Sequence, residues 1–134
     1  MDKSPLPTKT IALIAHDAKK PTLANWVERY ADRLRGHQLV CTATTGKVIE
    51  ARVTGLRIIL VKSGPLGGDQ QVGAMIADNK IDGLFFFPDP LTPMPHDVDV
   101  KALLRLALVY NVPCALNEAT ATGLMDGGFL AYLA

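Results

Sequence analysis

The chain has 134 residues, the usual size of one domain, of which 49% are hydrophobic and 20% charged. Its formal net charge of +1 gives no electrostatic reason to expect nucleic acid or an anionic membrane as a partner. No apolar run approaches the roughly 18 residues that crossing a bilayer requires, and the polar N-terminus is unlike a signal peptide. We therefore expect one cytoplasmic domain over residues 1–134, in which residues 1–9 form a flexible lead.

Five apolar segments predict the strands of a sheet. The runs at residues 11–15, 58–61 and 84–87 are continuously apolar, which is typical of parallel strands buried on both faces. Weaker strand candidates lie at residues 38–41 and 113–116.

Apolar residues with helical spacing fill the segments between these strands, and we interpret them as core-facing stripes. The three stripes are Leu23, Trp26, Val27, Tyr30 and Leu34, then Val72, Met75 and Ile76, and last Val100, Leu103, Leu104, Ala107 and Leu108. The alternation predicts a three-layer α/β/α fold with a doubly wound, five-stranded parallel sheet of Rossmann type. Function in such a sheet lies at the carboxyl ends of the strands, near the topological switch point.

The first two predicted strands are followed by groups that suit an anion. His16, Asp17 and Lys20 follow the first strand directly. The second strand leads into the turn Thr42-Ala43-Thr44-Thr45-Gly46, whose hydroxyls and backbone N–H groups at a helix start suit a phosphate.

The next two strands are followed by glycines and carboxylates. The segment Ser63-Gly64-Pro65-Leu66-Gly67-Gly68-Asp69 lets the backbone approach a ligand closely and ends on an aspartate near a helix start. A stiff loop with four prolines at 88–95 then delivers Asp89, His96, Asp97 and Asp99. Polar groups held rigidly are what a catalytic site needs.

Each of these features also has a purely structural interpretation. Asp17, Asp69 and Asp97 could cap helices, and the threonine turn could be an ordinary turn. Cys41 and Cys114 are interpreted as buried thiols in a reducing compartment. The three histidines are widely separated, and no metal-binding set is predicted. Polar groups follow four successive strands, whereas a purely structural fold requires them after no more than one or two. The pattern therefore favours a functional site.

Four motifs resemble the methylglyoxal synthase family over roughly residues 9–124. They are His16-Asp17-x-x-Lys20, Thr42-x-Thr44-Thr45-Gly46, Ser63-Gly64-Pro65-Leu66-Gly67-Gly68-Asp69-Gln70-Gln71 and Pro95-His96-Asp97-Val98-Asp99. The resemblance implies a lyase that converts dihydroxyacetone phosphate to methylglyoxal and inorganic phosphate. It also implies a homohexamer, inhibited allosterically by phosphate, that needs no metal or organic cofactor.

The resemblance further assigns roles to residues of this chain. Asp69 would remove a C3 proton, His96 would contact the substrate's carbonyl and hydroxyl oxygens, and Asp99 with Asp89 would support the proton network. The predicted substrate and phosphate-binding set comprises His16, Asp17, Lys20, Thr42, Ala43, Thr44, Thr45, Gly46, Ser63, Gly64, Gly67 and Gly68.

The sequence departs from the family at two places. Ala43 stands where the family often has glycine, and a backbone N–H contact there requires a negative φ. Family members also usually carry an arginine near their end, linked to neighbouring subunits, whereas Arg105 is the last basic residue here.

Two other functions compete with this interpretation. One is a non-catalytic effector-binding domain of the same fold, as in carbamoyl-phosphate synthetase. Such a domain would need the phosphate-binding turn but would not need Asp69, His96 and Asp99 together. A receiver domain is rejected, because Ser63 stands where a receiver needs an aspartate and no lysine follows Lys101.

Overall fold

A computed structural model of the chain describes residues 8–92 and 97–132 and contains one five-stranded parallel sheet. The strands are β1 (Thr10–Ala15), β2 (Gln38–Thr42), β3 (Arg57–Val61), β4 (Gly83–Phe87) and β5 (Cys114–Ala115). Their order across the sheet is β3-β2-β1-β4-β5, and every pairing is parallel. The predicted doubly wound sheet is confirmed, and its switch point lies between β1 and β4.

Helices cover both faces of this sheet. They are α1 (Lys20–Arg29), α2 (Ala31–Leu34), α3 (Ala43–Arg52), α4 (Gly68–Ala77), α5 (Asp97–Val109), α6 (Glu118–Asp126) and α7 (Phe129–Tyr132). One core packs the face carrying Ile11 and Leu13 against α1, α3 and α6, and the other packs Ala12 and Ile14 against α4 and α5. No helix in the described part of the chain is long and apolar enough to cross a membrane.

The apolar run of β3 is less buried than its sequence predicted. Ile59 and Leu60 are 43% and 42% exposed, whereas the strand residues of β4 are all buried. The reason is position, because β3 forms an edge of the sheet and pairs only with β2. Continuous hydrophobicity predicted the strand correctly but not its place in the sheet.

Two helical stripes also differ in detail from the prediction. The first is divided into α1 and α2 at Tyr30, although Trp26 and Leu34 are fully buried as expected. Leu108 was predicted to face the core, yet it is 83% exposed. The cause is that α5 packs against α4 as well as against the sheet. Leu106, which lies close to Gly73 of α4, therefore packs against the core between the sheet, α4 and α5 instead of Leu108.

The two cysteines are both free thiols. Cys41 is buried, and burial together with the charge of Glu50 raises its pKa to about 12. Cys114 is partly buried, and burial raises its pKa as well. The expectation of buried thiols is therefore confirmed for Cys41 and met in part for Cys114.

Side chains fasten the amino ends of the strands together. The Lys9 N–H donates to His37 Nδ1 at 3.0 Å, and the Thr10 N–H donates to Asp82 Oδ2 at 2.8 Å. Lys9 is only 4% exposed, so the folded domain already includes the last residue of the expected lead. Burial and then the charge of Lys9 lower the pKa of His37, against the opposing effect of Asp82.

This arrangement makes stability depend on pH. A histidine whose pKa is lower in the folded state stabilises the fold fully above its unfolded pKa of about 6.5. That contribution is lost as the pH falls through 6.5 towards the folded pKa, because protonation removes the Nδ1 lone pair that accepts from Lys9. We expect His37→Gln, whose amide oxygen can accept the same bond, to show a shallower loss of unfolding free energy between about pH 7.5 and 5.5. Urea titrations of both proteins check this, and parallel curves would contradict it.

Glycine substitutions test the packing of α3. A Cβ at Gly46 would lie 2.2 Å from Leu60 Cδ2 and 3.1 Å from Cys41 Cβ, whereas one at Gly123, in α6, would meet nothing within 4 Å. We expect Gly46→Ala to lower the unfolding free energy by about 1–3 kcal/mol through overpacking. The matched control Gly123→Ala should raise it by about 0.5–1 kcal/mol. Equal effects in thermal or urea unfolding would contradict the packing role of Gly46.

Candidate active site

A cavity of about 540 Å³ opens at the carboxyl edge of the sheet, where β1, β2, β3 and β4 end. This volume lies within the range of about 300–1,000 Å³ that is typical of small-molecule sites. Nine of the predicted site residues line it, namely His16, Asp17, Lys20, Thr42, Thr44, Ser63, Gly64, Asp69 and Asp89. The parallel sheet therefore brings together side chains that follow four different strands.

His16 is held in one orientation and one tautomer. Its backbone N–H donates to the carbonyl of Phe87 at 3.1 Å, and its ring lies edge-on to Phe86. The N–H of Asp89 donates to His16 Nδ1 at 3.0 Å. Because Nδ1 accepts this bond, the neutral ring carries its proton on Nε2. His16 can therefore donate from Nε2 to an oxygen of a bound ligand.

Lys20 supplies a positive charge from the first turn of α1. Its ammonium donates to Asp17 Oδ1, and their side chains are 11% and 98% exposed respectively. The bond from Lys20 and its charge lower the pKa of Asp17, so Asp17 is ionised. Asp17 thus lies at the rim and orients Lys20, which is the more enclosed of the two.

The threonine turn combines a helix start with hydroxyl groups. Helix α3 begins at Ala43, and the side chain of its N-cap residue, Thr42, makes no capping hydrogen bond. Its first N–H groups therefore offer partial positive charge to an anion. Ala43 stands where the family often has glycine, and its φ is not positive. Alanine at this position is therefore compatible with a contact from its backbone N–H to a phosphate. Thr42 and Thr44 line the cavity directly.

Thr45 and Gly46 have structural roles in the same turn. The Thr45 hydroxyl bonds the backbone of Ala15 at 3.4 Å and accepts from Thr42 Oγ1 at 3.1 Å, which fastens α3 to the end of β1. Gly46 lies where α3 meets β2 and β3. The structure does not place either residue in the cavity lining, and their predicted contact with phosphate stays a prediction.

Asp69 follows a tight glycine turn after β3. Gly67 has a φ of +102°, which places it in the left-handed region, and the Gly68 N–H donates to the carbonyl of Ser63 at 3.0 Å. Asp69 lies in the first turn of α4 and is 7% exposed. A methyl group at Gly64 would lie 3.6 Å from Asp69 Oδ1, so the carboxylate lies directly against that glycine. Gly67 and Gly68 shape the turn and are not in the cavity lining.

Asp89 stabilises its own loop. Its carboxylate accepts from the Thr92 hydroxyl and from the Leu91 N–H, the latter at 3.0 Å. These two bonds lower the pKa of Asp89, so the carboxylate is ionised. Its backbone N–H is the group that donates to His16 Nδ1.

Asp99 lies outside this cavity, in a neighbouring groove of about 290 Å³ between α4 and α5. Asp99 Oδ1 accepts from Gln70 Nε2 at 2.8 Å, and Asp69 lines both the groove and the cavity. His96 and the side chain of Asp97 lie outside the described residues, so the predicted role of His96 stays a prediction.

Sequence reasoning missed two kinds of residue at this site. The first is Thr92, which lines the cavity and whose hydroxyl donates to the Asp89 carboxylate. The available signal was the spacing of Asp89 and Thr92, which is that of the first and last residues of a four-residue turn. Gln70 and Gln71 belong to the glycine-rich motif but have no predicted role of their own, although both side chains form hydrogen bonds beside Asp69. Among the described residues, no group of three or more His, Cys, Asp or Glu side chains could hold a metal ion.

Comparison with known proteins identifies the family. The family model of an MGS-like domain matches residues 22–116. The methylglyoxal synthase of Cellvibrio japonicus is 59% identical over 120 residues, which cover 89% of this chain and 77% of that protein. That of Agrobacterium fabrum is 56% identical over 118 residues, which cover 88% and 93%. The chain belongs to the methylglyoxal synthase family.

A solved structure from the same family supports the fold in detail. The crystal structure of methylglyoxal synthase from Elizabethkingia anophelis NUHP1 matches with a TM-score of 0.85 and 50% sequence identity, over 92% of this chain and 81% of that one. The match spans the methylglyoxal synthase fold rather than one motif, which confirms the predicted architecture.

Proposed function

We propose that this protein is a methylglyoxal synthase, a lyase that converts dihydroxyacetone phosphate to methylglyoxal and inorganic phosphate without metal or organic cofactor. The observation that carries the proposal is the position of Asp69. Its carboxylate lies against Gly64 at one wall of the cavity, while Lys20, Thr42 and Thr44, which could bind an anion, line another part of it.

The phosphate is held by groups from the first two strand ends. Lys20 contributes the charge, Thr42 and Thr44 contribute hydroxyls, and the start of α3 contributes N–H groups. Asp69 lies in the first turn of α4, after the turn that follows β3, so the phosphate and the base are held by different segments. This separation lets the substrate's three-carbon chain extend from the phosphate towards the carboxylate.

The reaction begins with proton transfer from C3 to Asp69. A proton beside a ketone is too weakly acidic for a carboxylate in water, so the negative charge that develops on the carbonyl oxygen must be stabilised by a donor. His16 Nε2–H is such a donor in the described part of the site, and His96 is assigned the same contact by family resemblance. The electron pair of the broken C3–H bond forms the C2=C3 double bond of the enediolate, and the carbonyl oxygen takes the negative charge.

Phosphate then leaves from C1. The C3 hydroxyl loses its proton and becomes the aldehyde carbonyl, the C2=C3 pair moves to form a C1=C2 double bond, and the C1–O bonding pair leaves with the phosphate, which takes up that proton. The remaining enolate takes up a proton at C1, which becomes the methyl group of methylglyoxal. Elimination is fastest when the C1–O bond stands out of the enediolate plane, and the grip of Lys20 and α3 on the phosphate is placed to set that torsion.

We further propose that the domain, residues 1–134, acts in the cytoplasm as a homo-oligomer, with the hexamer and allosteric phosphate inhibition of its family. The exposed apolar side chains of β3 support association, because an apolar edge strand in water tends to pair with another surface. The free Cys41 and Cys114 suit a reducing compartment.

Purified protein should release equal amounts of methylglyoxal and inorganic phosphate from dihydroxyacetone phosphate, and chelators should not change the rate. Asp69→Asn should lower kcat by at least about 10³-fold, because the amide cannot accept the C3 proton. A coupled phosphate assay with a separate assay of the dicarbonyl product measures both.

Asp78→Asn is the matched control, since it makes the same change at the exposed C-terminal end of the same helix. It should leave kcat unchanged. Full activity in Asp69→Asn would disprove the assignment of the base. An inactive wild type that still binds phosphate would instead favour the effector-binding alternative.

A further inference from the structure

Gln70 and Gln71 follow Asp69 in the first turn of α4, and their side chains bond residues of two different segments. Gln71 Oε1 accepts from the backbone N–H of Lys62 at 2.7 Å. Gln70 Nε2 donates to Asp99 Oδ1 at 2.8 Å. Successive residues on a helix point about 100° apart, so one glutamine reaches the end of β3 and the other reaches α5.

The bond to Lys62 forms where β3 leaves the sheet. The last pair between β2 and β3 is Thr42 beside Val61, so Lys62 is the first residue beyond the ladder. β3 is an edge strand, and no strand of the described sheet lies on its other side. The side chain of Gln71 therefore provides a hydrogen-bond acceptor for a backbone N–H that lies beyond the end of the ladder.

Gly68 brings the same two segments into direct contact. A Cβ at Gly68 would lie 1.8 Å from the carbonyl oxygen of Lys62, so α4 can approach β3 this closely only with glycine there. The Gly68 N–H also donates to the carbonyl of Ser63. Gly68 sets how near the two segments lie, and Gln71 fixes how they are aligned.

We propose that Gln71 is a positioning residue for proton abstraction, because it fixes Asp69 relative to the Ser63–Gly64 turn. The inference rests on the proposed function and deepens it. Gln71 lies two residues after Asp69 on a rigid helical turn, and Lys62 lies directly before Ser63. One hydrogen bond therefore links the segment that carries the base to the segment that lines the substrate cavity.

The test compares two substitutions of similar length. Gln71→Met removes the acceptor, and we expect kcat to fall by about 10- to 100-fold, since small displacements of a reacting group have effects of this size. The Kd for inorganic phosphate should stay within about threefold, because Lys20 and α3 are untouched. Gln71→Glu keeps an acceptor for the Lys62 N–H and should recover kcat to within about fivefold of wild type.

Gln38→Met is the matched control, at the amino end of β2, where Gln38 accepts from the Thr10 hydroxyl. It should leave kcat unchanged whatever its effect on thermal stability. Hydrogen exchange of the Lys62 amide gives a readout that does not depend on turnover: exchange should be faster in Gln71→Met and restored in Gln71→Glu.

The outcomes separate this inference from the proposed function. An active wild type with an equally active Gln71→Met would overturn the positioning role alone. So would a Gln71→Glu protein as slow as Gln71→Met, or a loss of phosphate binding as large as the loss of kcat. An inactive wild type would overturn the proposed function, and this inference with it.

Discussion

The candidate site depends on the parallel pairing of β1 with both β2 and β4. This pairing places the carboxyl ends of the central strands at one edge, in register, with Leu13 beside Cys41 and Ala15 beside Phe87. His16 directly follows β1 and Thr42 is the last residue of β2, so their positions are fixed by the paired strands and the buried core rather than by loops. Antiparallel pairing would carry neighbouring strand ends to opposite edges of the sheet.

The same geometry separates two chemical tasks. The ends of β1 and β2 present a lysine, hydroxyls and a helix start, which suit a dianionic phosphate. The end of β3 presents a carboxylate, which would repel that dianion if it were placed among the same groups. In the proposed mechanism, Asp69 at the start of α4, with Gln71 bonded to Lys62, would lie near the carbon chain and apart from the phosphate. Asp17 and Asp89 are ionised but engaged with Lys20 and Thr92, which limits their repulsion of the substrate.

Much of this could be predicted from sequence, because the relevant signals are local. Continuous apolar runs predict the strands at the start and centre of the chain, and the glycine and threonine turns predict an anion site. The edge position of β3 could not be predicted, since strand order is set by packing of distant segments and leaves no trace in a single apolar run. The separate roles of Thr42 and Thr45 also depended on structure, because neighbouring hydroxyls on a turn face the cavity or the core according to φ and ψ.

The central claim is that the groups at the ends of β1 and β2 bind the phosphate, whereas Asp69, after β3, acts as the base. Equilibrium binding of inorganic phosphate tests this claim most directly. Calorimetry on the wild type, Asp69→Asn and Lys20→Met separates the two tasks without turnover. We predict that Asp69→Asn keeps or tightens the wild-type Kd, because it removes a negative charge near the anion. Lys20→Met should weaken the Kd by about tenfold or more, the loss of one charge-assisted contact. A large loss of phosphate binding in Asp69→Asn, with Lys20→Met unaffected, would contradict the account.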